Sequence, residues 1–168
     1  MDLNRQIERA EKLASLMQQV GFAVWHLQAL EGTVTTYLVL RLRAVRGVGE
    51  EQGTAALGKA ERRTFGHVVQ ELRAAGVLEE RLASNLDEVL AERNWLIHRA
   101  RREYPAVLFN APQLASLTAR LERIADLTDN VNRAFTQEVE RHVLSSGIDR
   151  ATLERETDAV LRQRGLVD

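Results

Sequence analysis

One short segment, Glu92 to Arg99, brings together residue types that can do acid–base and phosphate chemistry. Asn94 and His98 are four residues apart, so on a helix they share a face and the amide can orient the imidazole. Arg93 lies about 140° round the same helix from His98, because each residue advances the helix by about 100°. Histidine suits proton transfer near neutral pH, and arginine suits a phosphate that gains charge in a transition state. The segment therefore predicts a site made of Arg93, Asn94 and His98.

Three arginines that follow the histidine are expected to support this site. Arg99, Arg101 and Arg102 can bind phosphate oxygens. RNA carries its own nucleophile, the 2′-hydroxyl. Deprotonated by His98, that hydroxyl can attack the adjacent phosphorus, giving a cyclic phosphate and a 5′-hydroxyl without a metal. One chain presents Arg93 and His98 splayed apart, so we expect a complete site where two copies of the helix face each other across a two-fold axis.

The spacing of arginine and histidine is by itself a weak signal. The chain has 21 arginines and four histidines, so an arginine separated from a histidine by four to six residues is expected about once by chance. A second such pair, Arg62 and His67, is present. The first pair differs from it in three ways: an asparagine follows Arg93, the surrounding helix is long and amphipathic, and basic residues follow His98.

The segment resembles the HEPN family, whose members share a helical bundle and the motif Arg-x(4–6)-His, frequently with a polar residue after the arginine. The likeness covers residues 1–144. It implies catalytic roles for Arg93 and His98, a helper role for Asn94, a homodimer, and RNA cleavage of the toxin or antiviral-defence type. In the subgroup that pairs with nucleotidyltransferase antitoxins, a tyrosine stands two residues after the histidine, whereas this chain has Ala100. Pairing with that class is not implied, and another antitoxin or regulatory protein stays open as a partner.

A solvated helix face is the alternative interpretation of the same segment. In that case Arg93 pairs with Asp87, Glu88 or Glu92 on the surface of its own helix, and His98 has no chemical role. The spacing alone does not decide between the two interpretations.

Glu31 is a second candidate, because it falls in an apolar stripe that runs from Val24 to Leu38. A buried carboxylate needs a partner, and Arg93 or His98 would serve. Alternatively, the helix is rotated and Glu31 lies at the edge of the stripe.

No metal site and no cofactor are expected. His26 and His142 each lack aspartate, glutamate or histidine at metal-ligand spacing, and the chain has no cysteine. Trp25 and Trp95 are expected to be packing residues. The N-terminus lacks the apolar run of a secretory signal, and the apolar stretch from Phe22 to Leu42 is interrupted by polar residues. We therefore expect a cytoplasmic protein with no membrane partner.

The composition favours an all-α fold. The chain of 168 residues is 45% hydrophobic and 28% charged, with only two prolines. We expect an up-and-down helical bundle of about five helices over residues 1–144, and a short C-terminal helix as an appendage over residues 145–168. The expected elements are a helix from Leu3 that ends near Gly21, a second from Phe22 to Val45, a loop from Gly47 to Gly58, a third helix from Lys59 to Ala75, a fourth from Glu79 to Glu103, a fifth that Asn110 caps with Gln113 in capping-box position, and a sixth from Asp149.

Three functions from different classes follow from these observations. The first is a metal-independent endoribonuclease, and the second is a catalytically silent HEPN-like module that binds RNA, nucleotide or a protein partner. The third is a structural helical adaptor in which the motif is accidental. A net charge of −1 argues against broad, nonspecific binding of nucleic acid through a basic surface. Activity on RNA separates the first function from the second.

Overall fold

The described chain is entirely helical, as the sequence predicted. The computed structural model describes residues 3–44 and 49–167, and no strand occurs among them. The helices in chain order are α1 (Leu3–Leu42), α2 (Glu50–Glu61), α3 (Phe65–Ala74), α4 (Glu80–His98), α5 (Ala100–Glu103), α6 (Ala111–Ser145) and α7 (Arg150–Gln163).

The two longest helices, α1 and α6, pack side by side in parallel. The hydroxyl of Thr118 donates to the amide oxygen of Gln19 (3.0 Å) near one end of the pair. Near the other end, a ring nitrogen of His142 lies 3.2 Å from the carbonyl oxygen of Leu40. Their apolar stripes meet to form most of the core. The fully buried large side chains of this pair are Leu30, Val34, Leu38, Leu121, Ile124, Val131 and Phe135.

Helix α4 runs back along this pair in the opposite direction. It contacts α1 between Arg93 and Glu31, whereas the carbonyl of Val77, just before α4 begins, accepts a hydrogen bond from Tyr37 farther along α1. The core stripe of α4 is Leu82, Leu86 and Val89, and it is buried with the core residues of α3. The end of α4 that carries the motif therefore lies over the middle of α1.

The expected break at Gly21 is wrong. Residues 3–42 form one continuous helix of 40 residues. Glycine in a helix interior costs about 1 kcal/mol relative to alanine, but the apolar stripe of α1 continues past it from Leu16 to Ala23 and Leu27, all of them buried. Packing against α6 offsets the weak propensity of one glycine.

The expected loop from Gly47 to Gly58 is also wrong over its described part. Residues 45–48 lie outside the described residues, and α2 begins at Glu50 with two acidic residues in its first turn, where the helix dipole favours negative charge. The helix expected from Lys59 to Ala75 is interrupted at residues 62–64, because the Thr64 side chain caps a new helix by accepting from the His67 N–H.

The caps of the last two helices are confirmed. The side-chain oxygen of Asn110 accepts from the Gln113 N–H (3.0 Å) at the start of α6, and Asp149 accepts from the Thr152 N–H (2.9 Å) at the start of α7. Helix α7 has no buried residue. Its apolar residue Val160 is 45% exposed. Among the described residues, no helix combines the length and apolarity that crossing a membrane requires.

Tyr37 provides a test of how the connection before α4 is held. Its ring packs edge-on against Phe135, and its hydroxyl donates to the Val77 carbonyl at 3.1 Å. Replacing Tyr37 by Phe keeps the ring and removes the donor, so we expect a loss of about 1 kcal/mol and a melting temperature lower by about 2–4 °C.

The same substitution should change the response to alkali. Burial raises the pKa of Tyr37, so the folded state favours the neutral phenol over the phenolate. Its contribution to stability is present below the ordinary tyrosine pKa of about 10 and is lost as the pH rises through the raised value. Thermal melts near pH 8 and near pH 11 should therefore show a larger loss for the wild type than for Tyr37→Phe. Equal losses would contradict the buried-phenol assignment.

Candidate functional site

The motif residues lie at the C-terminal end of α4, where two buried side chains hold the helix against the core. Trp95 and Leu96 are buried, whereas Asn94, Ile97 and His98 are exposed. The sequence predicted one helix as far as Glu103, but α4 ends at His98. The backbone of the next residue, Arg99, leaves helical geometry at φ −123° and ψ −31° before the short helix α5 begins.

Arg93 is held in one orientation by two oxygen atoms. Its Nε donates to Oε1 of Glu31 at 3.2 Å, and one terminal nitrogen donates to the amide oxygen of Asn94 at 3.3 Å. Glu31 is therefore half-buried at the edge of its stripe and is paired with one of the two partners that the sequence suggested. The second terminal nitrogen of Arg93 has no partner among the described residues, and about a third of the side chain is exposed. That nitrogen can donate to an incoming anion.

His98 is exposed, and its ring makes no hydrogen bond to the described part of the chain. The sequence suggested that Asn94 orients the imidazole, but the Asn94 amide orients the guanidinium of Arg93 instead. The backbone carbonyl of His98 accepts from Arg102 at 3.1 Å, which closes the end of α4. The imidazole is thus available to a ligand.

Three exposed arginines follow His98 in the sequence: Arg99, Arg101 and Arg102. Within the described ranges, none of them forms an ion pair with a carboxylate. The end of α4 therefore carries positive charge that is not compensated locally, although the whole chain has a net charge of −1. The guanidinium group matches the geometry of phosphate and carboxylate anions.

Two of the three partners proposed for Arg93 on a solvated face, Glu92 and Asp87, are engaged elsewhere. Glu92 accepts two hydrogen bonds from Arg120, at 2.9 and 3.0 Å. Asp87 accepts from Arg73 of α3. The guanidinium of Arg93 instead reaches across to α1, 62 positions away in sequence.

A cluster that sequence reasoning missed supports the motif from the α6 side. The guanidinium of Arg120 lies 3.4 Å from the centre of the Trp95 ring. The indole N–H of Trp95 donates to Glu103 at 2.7 Å, and Arg120 also binds Glu92. Because Trp95 lies between Asn94 and Leu96, this cluster fixes the rotation of the helix end. The only sequence signal for it is a tryptophan beside a polar residue, Asn94, on an otherwise amphipathic helix.

The other arginine and histidine candidates lie apart from the motif in the structure. Arg62 and His67, the second pair with the same spacing, lie on either side of the break between α2 and α3. His26 stacks against Phe22 with ring centres 4.4 Å apart. His142 contacts Arg41 at 3.3 Å. No group of three histidine, aspartate or glutamate side chains in the described ranges could hold a metal ion.

Two clefts of the described chain lie away from the motif. A cleft of about 580 Å³ lies between α1 and α6 beside Phe22 and Ala125, and another of about 540 Å³ lies between α4 and α6 beside Asn85 and Val131. Arg93, Asn94 and His98 line neither of them.

No family model, no curated protein and no solved structure matches this chain.

Arg120→Ala tests whether the Trp95 cluster supports the motif. The substitution removes a cation–π contact and two hydrogen bonds to a carboxylate, so we expect a loss of about 2 kcal/mol and a melting temperature lower by about 4–8 °C. Arg123→Ala, on the same helix, removes an exposed arginine with no partner among the described residues and should change the melting temperature by less than about 2 °C. Equal effects of the two substitutions in calorimetry would show that the cluster contributes nothing.

Proposed function

We propose that this protein is a metal-independent endoribonuclease of HEPN type, acting as a toxin or in antiviral defence, with Arg93, Asn94 and His98 in its active site. One observation supports the proposal above the others. An imidazole with no hydrogen bond to the described part of the chain lies at the end of the helix that also holds an oriented arginine, one of whose donor nitrogens has no described partner. A general base and an anion-binding group are the two components that RNA cleavage without metal requires, and the end of α4 carries one of each.

In this reaction His98 removes the proton of the 2′-hydroxyl, and the oxygen attacks the neighbouring phosphorus. The P–O5′ bond breaks, and the leaving oxygen takes up a proton, so the products are a 2′,3′-cyclic phosphate and a 5′-hydroxyl. Arg93 donates to the phosphate oxygens as charge builds up on them. Glu31 and Asn94 preorganise that arginine, because they fix its plane before RNA binds.

The site is expected to be shared between two copies of the chain. Arg93 points toward α1, where it meets Glu31, whereas His98 is exposed on a different side of α4. One substrate phosphate cannot contact both side chains of the same chain, since they diverge by about 140° around the helix. Two antiparallel copies of α4 bring Arg93 of one subunit near His98 of the other.

A catalytically silent module that binds RNA, nucleotide or a protein partner is the second candidate. The ion pair between Arg93 and Glu31 favours it, because the carboxylate offsets part of the charge that a phosphate would meet. In that case the free arginines at the end of α4 would supply binding without chemistry.

His98→Ala separates these two functions. We expect cleavage of single-stranded RNA to fall by about 10²–10⁴, because the general base is lost. The circular dichroism spectrum and the melting temperature should stay nearly unchanged, because the ring contacts solvent and alanine is the better helix former. Arg93→Ala should be comparably damaging, and Asn94→Ala intermediate, because Asn94 acts only by holding Arg93.

The matched controls are Arg62→Ala and His67→Ala, which remove the second pair of the same spacing and should leave cleavage unchanged. Products should carry a cyclic phosphate and a 5′-hydroxyl, seen by mass spectrometry. A His98→Ala variant that cuts RNA as fast as the wild type would end the enzyme proposal. Wild-type protein that binds RNA without cutting it would establish the silent module.

Cleavage should also be indifferent to chelators. The described residues offer no set of ligands for a divalent ion, and His98 can do the proton transfer that a metal-bound water would otherwise do. We expect the same rate with and without EDTA after exhaustive dialysis. Activity that EDTA abolishes and magnesium restores would contradict the mechanism, and would leave the fold unaffected.

A further inference from the structure

Three aromatic side chains in the described ranges are exposed over more than half of their surface. Phe22, Trp25 and Phe109 are exposed to 58%, 72% and 70%. The expectation that Trp25 is a packing residue is therefore wrong. Phe22 and Trp25 lie in residues 13–40 of α1, where the single Asp, Glu, Lys or Arg is Glu31. Phe109 differs from them because arginines lie around it.

Phe109 is held in its exposed position by its neighbours. The two residues before it, Val107 and Leu108, are partly buried against the core, and its N–H donates to the carbonyl of Ala106 at 2.8 Å. Phe109 directly precedes Asn110, the cap of α6, where an apolar residue often packs against the first turn of the helix. That packing leaves 70% of Phe109 in solvent, so it does not account for most of the ring surface.

A guanidinium group covers one face of this ring. The guanidinium carbon of Arg9 lies 4.3 Å from the centre of the Phe109 ring, and Arg9 forms no ion pair within the described ranges. The pair presents a π face to an unpaired base and, beside it, a cation to a phosphate. Phe109 and Arg9 together are called the stacking platform below.

The stacking platform lies close to the motif along the bundle. Glu92 of α4 binds Arg120 of α6, and the two helices run in opposite directions. His98 is therefore level with about Leu114, and Phe109 lies about 8–11 Å farther along the bundle axis. A stacked strand rises about 3.4 Å per nucleotide, so this separation corresponds to about three nucleotides.

The chain segment that joins the motif to Phe109 carries positive charge suited to such a strand. Its arginines, Arg99, Arg101 and Arg102, are exposed. The one carboxylate of residues 99–109 belongs to Glu103, and the indole N–H of the motif helix donates to it at 2.7 Å. The phosphates of a strand along this segment therefore meet cations that can neutralise them.

We propose that the stacking platform binds one unpaired base of single-stranded RNA, within about three nucleotides of the phosphate that is cleaved. Phe109 stacks on the base, and Arg9 donates to the phosphate of the same nucleotide. The cleaved phosphate is that of the proposed function, on which this assignment rests. A base inside a duplex has its faces covered by its neighbours, so the platform selects unpaired segments. It tolerates all four bases, because each has a π face.

Binding of an RNA that cannot be cut tests the platform. A labelled single strand with 2′-O-methyl groups lacks the attacking hydroxyl, so its affinity for the full chain can be measured by fluorescence anisotropy. Phe109→Leu keeps an apolar side chain before α6 and removes the π face. We expect its dissociation constant to rise by about 5- to 150-fold, with a melting temperature within about 2 °C of the wild type. Phe109→Tyr keeps the ring and should bind like the wild type.

The matched control is Phe22→Leu. Phe22 is an exposed phenylalanine of α1, in a cleft that is also lined by Glu122 and Asp126. Their carboxylates repel phosphate, so we expect this substitution to leave the dissociation constant unchanged. A duplex of the same sequence is the second control, and Phe109→Leu should bind it as the wild type does.

Salt separates the two parts of the platform. Arg9→Ala removes one phosphate contact, so the slope of log affinity against log salt concentration should become shallower by about 0.7. Phe109→Leu should weaken binding without changing the slope, because stacking on a neutral ring releases no counterions. A change of slope in Phe109→Leu equal to that in Arg9→Ala would contradict the stacking role.

The place of the stacked base can be mapped along the strand. A single 2-aminopurine loses fluorescence when it stacks on an aromatic ring, so its position can be varied one nucleotide at a time. The greatest loss that depends on Phe109 should occur within about three nucleotides of the cleaved position in unmodified RNA. A greatest loss well outside that range would overturn the proposed placement.

The outcomes for the platform and for the proposed function are distinct. Wild-type protein that does not bind single-stranded RNA, or a Phe109→Leu variant that binds it as tightly as the wild type, would overturn the platform. Binding that depends on Phe109, without cleavage of unmodified RNA, would refute the proposed enzyme and support the platform. His98-dependent cleavage with the same kcat/KM in Phe109→Leu would refute the platform alone.

Discussion

The parallel packing of α1 against α6 is the constraint on which the rest of the structure depends. The residues that the pair brings into contact are 99 and 102 positions apart in sequence at its two ends. Two parallel helices need a connection that returns along their length, and α4 makes most of that return. Contacts of such long sequence range have to form together, because loop closure is costly until the apolar stripes are buried. The core thus depends on contacts between two helices, α1 and α6, that are far apart in the sequence.

This arrangement explains how ordinary helices hold the end of α4 in one orientation. α4 is fixed on one side by Arg120 of α6, which binds Glu92 and covers Trp95. On the other side, Arg93 reaches Glu31 of α1. The helix end is therefore held by both long helices, and its rotation determines which side chains point outward. His98 is exposed at the last residue of α4, whereas Trp95 and Leu96 in the preceding turn are buried.

Sequence periodicity was enough to predict the all-helical bundle, the core stripes and the caps at Asn110 and Asp149, because each depends on neighbours along the chain. It failed at Gly21 and between Gly47 and Gly58, where packing outweighs the weak helix propensity of glycine. The sequence narrowed the partner of Glu31 to Arg93 or His98. It could not decide between them, because the answer depends on the relative rotation of α1 and α4. The stacking of Arg120 on Trp95 could not be predicted, because nothing local in the sequence pairs residues 25 positions apart.

Helix α7 is a part of the chain whose stability is separate from that of the bundle. It has no buried residue, and among its described contacts with the bundle is the ion pair between Arg150 and Glu140. A helix of 14 residues is near the length at which isolated helices are marginal in water. Its amide hydrogens should therefore exchange with solvent by local opening, at rates that do not follow global unfolding, while those at the centre of α1 and α6 exchange only when the whole bundle opens. The C-terminal helix is therefore expected to open and close independently of the bundle to which it is joined.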